Sequence, residues 1–175
     1  MSPCALWVDE VEKAFAGIGS GGAGSEVATR MFGYFLTWMQ EKTSQVFVIA
    51  TANDISALPP ELLRKGRVDE NFYVDFPTEV ERKEIFNLHL NKRGKLNDSV
   101  NLEQLAKDTK DYSGADIEAI VKDAIESAFV DGKKQLDTAR LQKVIKTKQP
   151  LGEVMKDKVK EYKDKFEKMK IKKAS

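Results

Sequence analysis

The chain has 175 residues, 41% of them apolar, and 29 lysines and arginines against 28 acids, a formal net charge of +1. That apolar content supports a core and excludes wholesale disorder, and the balanced charge excludes a global attraction to nucleic acid or to a membrane surface. One cysteine, Cys4, and one histidine, His89, exclude an internal disulfide and any cysteine- or histidine-rich metal site.

In chain order, Ala5-Leu6-Trp7-Val8 is a short apolar run that ends in two adjacent carboxylates, Asp9 and Glu10. Such a run reads as a buried parallel strand. Met1 leads straight into it without a signal peptide, so an internal methionine of a longer protein, or a fragment, is expected. Residues 11–16 read as a short helical turn. Residues 17–22 formally match G-x-G-x-x-G, but they do not directly follow the strand and no Gly-Lys-Ser/Thr comes after them. A flexible loop is expected there, rather than a dinucleotide fingerprint or a P-loop. Ser25 is the expected N-cap of a helix over 25–40, with Val27, Met31, Phe35 and Trp38 or Met39 on one face.

Residues 46–50 are a second continuous apolar run and a second expected buried strand, ending in Thr51-Ala52-Asn53-Asp54. Pro59-Pro60 is expected to start a short helix through Leu63. Arg64-Lys65-Gly66-Arg67 follows, then a third expected strand over 72–76, stopped by Pro77. From Thr78 the pattern is wholly helical. Thr78-x-x-Glu81 is a capping box, and its helix runs to about Leu90. A short helix is expected over 102–107. Ser113 opens another, with Ile117, Ile120, Val121, Ala124, Ile125 and Ala128 on one face, and Asp137 caps the next. The lysine-rich end carries Met155, Val159, Tyr162, Phe166 and Met169 at the spacing of a docked helix face. Alternating strands and helices, then helices alone, predict an α/β half at 1–77, a small helical domain at 78–148 and a helical tail at 149–175. No apolar run approaches the roughly 18 residues of a membrane span. The lone cysteine fits a reducing compartment, and a cytoplasmic protein is expected.

Ligands of open α/β sheets sit at the carboxyl ends of the strands. Asp9 and Glu10 therefore stand at a ligand-binding rim and look like the end of a Walker B strand. There one carboxylate holds Mg²⁺, usually through water, and the next orients the attacking water. Asp9 takes the first role and Glu10 the second; the alternative is two solvated acids.

Taken together, these residues resemble the AAA family of ATPases from about Leu6 to Phe129. Ala52-Asn53-Asp54 resembles the family's sensor-1 turn. The stretch from Leu58-Pro59-Pro60 through Arg64-Lys65-Gly66-Arg67-Val68-Asp69 resembles its arginine-finger signature, and Tyr112-Ser113-Gly114-Ala115-Asp116-Ile117 its lid motif. The nearest resemblance is to the uncharacterised cyanobacterial and plastid-type AAA proteins. The resemblance implies a partial parallel-sheet core of the P-loop NTPase type, later strands only, followed by an all-helical lid. It implies ATP and Mg²⁺ as cofactors, with other AAA subunits in a ring and a protein substrate as partners. Asn53 would hydrogen-bond the attacking water or the γ-phosphate, and Arg64 and Arg67 would reach a neighbouring subunit's nucleotide; for Arg64 a salt bridge to Glu61 or Asp69 is the alternative. His89 would lie against base or ribose, unless it is simply a polar residue at a helix end. Gly114 and Ala115 would let backbone approach the ligand, unless they only serve the helix cap. Arg30 is expected on a solvated face.

No G-x-x-x-x-G-K-[S/T] occurs, and Lys13, Lys42 and Lys65 follow no glycine-rich cradle. In the family that loop and its strands precede the Walker B strand, and the P-loop strand lies between those expected at 46–50 and 72–76. The expectation is the carboxyl-terminal part of a longer AAA ATPase, inactive alone, with unpaired strand edges. The competing expectations are a non-catalytic subunit that donates Arg64 and Arg67, or an adaptor that binds protein.

Overall fold

The computed structural model describes residues 2–15, 18, 23–64 and 66–174, without the side chains of 23–25. The glycine-rich loop expected at 17–22 falls, apart from Ile18, outside the described residues, as does Lys65. The chain forms two compact units, Met1–Asn71 and Phe72–Ser175.

In the first unit, β1 (Cys4–Val8) and β2 (Val46–Ala50) pair in parallel, with Cys4 opposite Val46 and Val8 opposite Ala50. The connection runs through α1 (Val11–Ala14) and α2 (Ala23–Glu41). Val11, Phe15, Phe32, Leu36, Met39 and Leu62 form the core, with the Phe15 and Phe32 rings edge to face at 4.8 Å. Four expectations need correction here. Both strands were expected to be buried, yet Trp7 is 68% and Phe47 71% exposed. Parallel strands are covered when helices pack on both faces. Here Trp7 lies opposite Ile49 and Ala5 opposite Phe47, so these residues share one face, and that face is open.

The second correction concerns α2. It starts at Ala23, which puts Ser25 in its first turn rather than at the N-cap. Third, its buried stripe is Phe32, Leu36 and Met39, while Val27, Met31 and Trp38 are exposed. A helix that is apolar on more than one stripe fits more than one register, so periodicity alone does not choose the face. Fourth, the helix expected after Pro59-Pro60 is a set of turns. A 3₁₀ turn, Ile55–Ala57, is capped by the Asp54 carboxylate accepting from the Ser56 N–H at 2.8 Å. Single bonds, Leu62 N–H to Pro59 O (3.0 Å) and Arg67 N–H to Arg64 O (3.3 Å), then close the following turns. Gly66 reverses the chain at φ 90°, a conformation glycine adopts without a Cβ clash.

The second unit holds α3 (Glu79–Lys92), α4 (Leu102–Asp108), α5 (Gly114–Val130) and α6 (Thr138–Ile145). Capping boxes at Thr78/Glu81 and Ser113/Asp116, with side-chain caps from Asn101 and Asp137, satisfy their first-turn amides. Phe86, Leu90, Leu105, Ile117, Ile120, Leu136 and Leu141 are fully buried between them. Arg82, itself buried, donates to Ala106 O through Nε (3.0 Å) and Nη2 (2.9 Å) and to Pro77 O through Nη1 (2.7 Å), which ties α3 to the end of α4.

The third expected strand is corrected too. β3 is only Phe72–Tyr73, and it pairs in parallel with β4 (Lys172–Lys173) of the carboxyl-terminal segment. That segment also contains α7 (Leu151–Val154) and α8 (Lys156–Lys168). Of the face expected to dock, the Phe166 ring stacks on Tyr73 at 4.8 Å, while Met169 is 47% exposed. Gly152 donates its N–H to Asp111 O at 3.0 Å, where a Cβ would stand 2.7 Å from that oxygen.

Just beyond β3, Asp75 forms ion pairs with Lys163 (2.9 Å) and Lys173 (3.5 Å), and it accepts from the Tyr73 hydroxyl at 3.0 Å. Burial pushes its carboxyl up, but hydrogen bonds from Lys163, the Phe76 amide and Tyr73 outweigh burial and hold it below the usual carboxylate range. A depressed folded value adds stability that is present at neutral pH and lost as pH falls through that value. Asp75→Asn should therefore loosen the tail at neutral pH. Trypsin at neutral pH should cut within α8 several-fold faster in the variant, and the difference in stability between the two proteins, read by urea unfolding, should close as the pH falls below the unfolded carboxylate range toward the lower folded value. Equal cleavage of both proteins at neutral pH would mean that these ion pairs do not hold the tail.

Candidate functional site

Because β1 and β2 run in parallel, their carboxyl ends emerge side by side. Two backbone bonds lock the exits together, Thr51 N–H to Val8 O (2.9 Å) and Val11 N–H to Thr51 O (2.8 Å). The Thr51 hydroxyl donates to Asp9 Oδ1 and accepts from the Glu10 N–H at 3.2 Å. Asn53 reaches across from the β2 side. Its Nδ2 donates to Glu10 Oε1 at 3.1 Å, and its backbone N–H donates to Glu12 Oε1 at 3.2 Å. Lys13 Nζ donates to both Glu10 oxygens at 2.7 Å, and that hydrogen bond raises the Lys13 ammonium above its usual value. Glu10 itself sits in the left-handed region, φ 49° and ψ 51°. Non-glycine residues hold such a conformation where their surroundings over-determine it, often at functional sites.

The structure thus brings Asp9, Glu10 and Asn53 into one hydrogen-bonded group. Arg64 and Arg67 lie elsewhere in the same unit. Arg67 Nη1 donates to Glu61 O at 2.7 Å and Nη2 to Gln40 Oε1 at 3.5 Å, while Arg64 is exposed. Arg30 is exposed on α2, as expected. His89, Gly114 and Ala115 belong to the second unit. His89 Nδ1 lies 3.1 Å from Arg93 Nη1, and Arg93 pairs with Glu118 at 2.7 Å. Gly114 begins α5 beside α3; a Cβ there would meet only Ile85 Cδ1, at an ordinary 3.8 Å, so sterics alone do not require glycine.

Three members of the group were missed from sequence. Thr51 is the first polar residue after the second apolar run, the same signal that marks Asp9 after the first. Glu12 and Lys13 are one turn beyond Glu10, and only the fold shows them facing Asn53 and Glu10.

The donor set suits a small hard cation. Asp9 offers a carboxylate and Thr51 a hydroxyl, hard oxygen donors of the kind that hold Mg²⁺ together with waters and substrate phosphates. The P-loop sequence G-x-x-x-x-G-K-[S/T] does not occur in these 175 residues.

The first unit is thus a parallel βαβ pair ending in a carboxylate–hydroxyl–amide group, and it is followed in sequence by a capped helical bundle. Residues 1–76 match the model of the ATPase family associated with various cellular activities (AAA), and residues 99–143 match that of the AAA+ lid domain. The chain belongs to the AAA family of ATPases, as a partial core followed by a helical lid. It is 41% identical over 160 residues, 91% of its length and 32% of the relative's, to the uncharacterized AAA domain-containing protein ycf46 of Pyropia yezoensis. It is 40% identical over 130 residues, 71% of its length and 17% of the relative's, to a cell division cycle protein 48 homolog of Archaeoglobus fulgidus. It is 33% identical over 154 residues, 82% of its length and 22% of the relative's, to ATP-dependent zinc metalloprotease FtsH 1 of Sphaerobacter thermophilus. The chain spans about a third of the length of the ycf46 relatives it matches. No helix among the described residues is long and apolar enough to cross a membrane.

Proposed function

We propose that this chain supplies the water-activating half of an ATP-hydrolysing site, working with a P-loop that these 175 residues do not contain. The observation that carries the reading is the Asp9–Thr51 and Glu10–Asn53 bonding at the joined strand ends. Asp9 would orient Mg²⁺ through water, with the Thr51 hydroxyl fixing the carboxylate. Glu10 would take the proton of the attacking water once Lys13 swings away. Asn53 would hold that water or a phosphate oxygen with a neutral amide, which adds no repulsive charge. Mg²⁺ and ATP supply the charge to be stabilised and the bond to be broken. Arg64 and Arg67 would act on a neighbouring subunit's nucleotide in a ring, and His89, Gly114 and Ala115 would line the base or ribose side. On this reading 1–77 is the core half, 78–148 the lid and 149–175 a tail. The coupled work would be remodelling of a protein substrate.

Two results test the reading. The chain alone should show no micromolar ATP binding by calorimetry. In a longer protein that joins a P-loop half to this chain, Glu10→Gln should keep ATP binding and lose turnover by about 10² to 10⁴, the usual worth of a positioned base. Undiminished turnover in Glu10→Gln would reject it.

A further inference from the structure

We propose that Glu12 is a positioning residue for Glu10 and Asn53, an inference that rests on reading those two as the hydrolytic pair. Glu12 is 9% exposed, the one buried carboxylate among the described residues of the first unit. Its Oε1 accepts the Asn53 backbone N–H at 3.2 Å, and its Oε2 is buried with no hydrogen-bond partner among the described residues. Burying a carboxylate with one oxygen unsatisfied is unfavourable.

The geometry shows what the carboxylate accomplishes. Asn53 is held twice, by its backbone on Glu12 and by its side chain on Glu10. Glu12 follows Glu10 by two residues, inside the turn that keeps Glu10 left-handed. The backbone amides of Glu10 and Val11 in that turn bond to Thr51. Glu12 extends the clamp to residue 53. Without it, the Asn53 amide is free to drift from Glu10, and the two groups meant to share one water lose their common geometry. Small displacements of a positioning group cost rate and leave ground-state binding intact.

The test compares Glu12→Ala with Glu12→Gln, whose amide oxygen can still accept the Asn53 N–H. In this 175-residue chain, residue-resolved hydrogen exchange at the Asn53 amide should quicken about tenfold or more in Glu12→Ala and stay near wild type in Glu12→Gln, the scale expected from losing a hydrogen bond. In a longer protein with the P-loop half, Glu12→Ala should lower kcat about tenfold or more with KM for ATP unchanged, and Glu12→Gln should retain most of kcat. Unchanged Asn53 exchange in Glu12→Ala would overturn the proposal. So would unchanged kcat in Glu12→Ala where Glu10→Gln is inactive. A Glu12→Gln protein as inactive as Glu12→Ala would assign Glu12 a charged catalytic role and overturn positioning. If Glu10→Gln itself turns over normally, the hydrolytic reading fails instead, and the exchange measurement alone decides whether Glu12 places Asn53.

Discussion

Arg67→Ala should cost about 10³ to 10⁵ in turnover, the worth of an arginine finger, and leave ATP affinity unchanged. The measurement needs a ring-forming protein in which this chain follows a P-loop half. A finger stabilises charge that develops in the transition state, so its loss appears in kcat, whereas a ground-state contact would change binding as well. The guanidinium is half-buried and bonded to two neutral acceptors, the Glu61 carbonyl and the Gln40 side-chain amide. Neither neutralises its charge, and the Gln40 contact, at 3.5 Å, is long. Swinging the arginine toward a neighbour therefore breaks no salt bridge with these partners.

A finger also acts in trans. Mixing Arg67→Ala subunits with Glu10→Gln subunits should restore part of the activity, because a subunit with intact Glu10 can receive an arginine from a Glu10→Gln neighbour. No rescue in rings shown to exchange subunits would refute the trans role. Full turnover in Arg67→Ala would refute the finger and leave Arg67 as the residue that closes the turn onto Glu61.

How much of this was legible in sequence divides along a physical line. The lid was readable because its signals are local. Thr78-x-x-Glu81 and Ser113-x-x-Asp116 are capping boxes within four residues, and each bonds as its sequence dictates. The acid pair was readable for a similar reason: an apolar run that stops on Asp9 and Glu10 fixes which end of the strand they occupy. The open face of the sheet was not readable, because burial depends on what covers Trp7 and Phe47, and periodicity describes only the strand's own residues. The α2 face failed for want of contrast, with apolar residues on both stripes. The pairing of residues 72–73 was not readable because their partner, Lys172–Lys173, lies in the carboxyl-terminal segment, where Lys163 and Lys173 also pair with Asp75. Glu12 escaped notice because its partner, the Asn53 amide, is supplied by the parallel register and by no spacing in the sequence.

Phe86→Ala should remove a large fraction of the stability of the second unit. Phe86 is 0% exposed in the cluster that also holds Leu90, Leu105, Ile117 and Leu141. Truncating a buried phenylalanine costs about 3–5 kcal/mol, the transfer term plus the cavity left behind. A helical unit of this size carries on the order of 5–15 kcal/mol in total, so the loss is a large fraction of what is available. The surroundings cannot easily close over the gap. The Arg82 bonds to Ala106 and Pro77 pin α3, and the Ser113 capping box fixes the start of α5. Urea unfolding followed by far-ultraviolet circular dichroism should show the midpoint of the helical transition falling steeply with its slope kept, the mark of lost stability rather than a changed unfolded state. Phe129→Ala is the control. That side chain is on α5 but 84% exposed, and its removal should move stability by no more than about 0.5 kcal/mol. Equal midpoints for the two variants would mean that the α3–α6 bundle does not unfold as one packed unit.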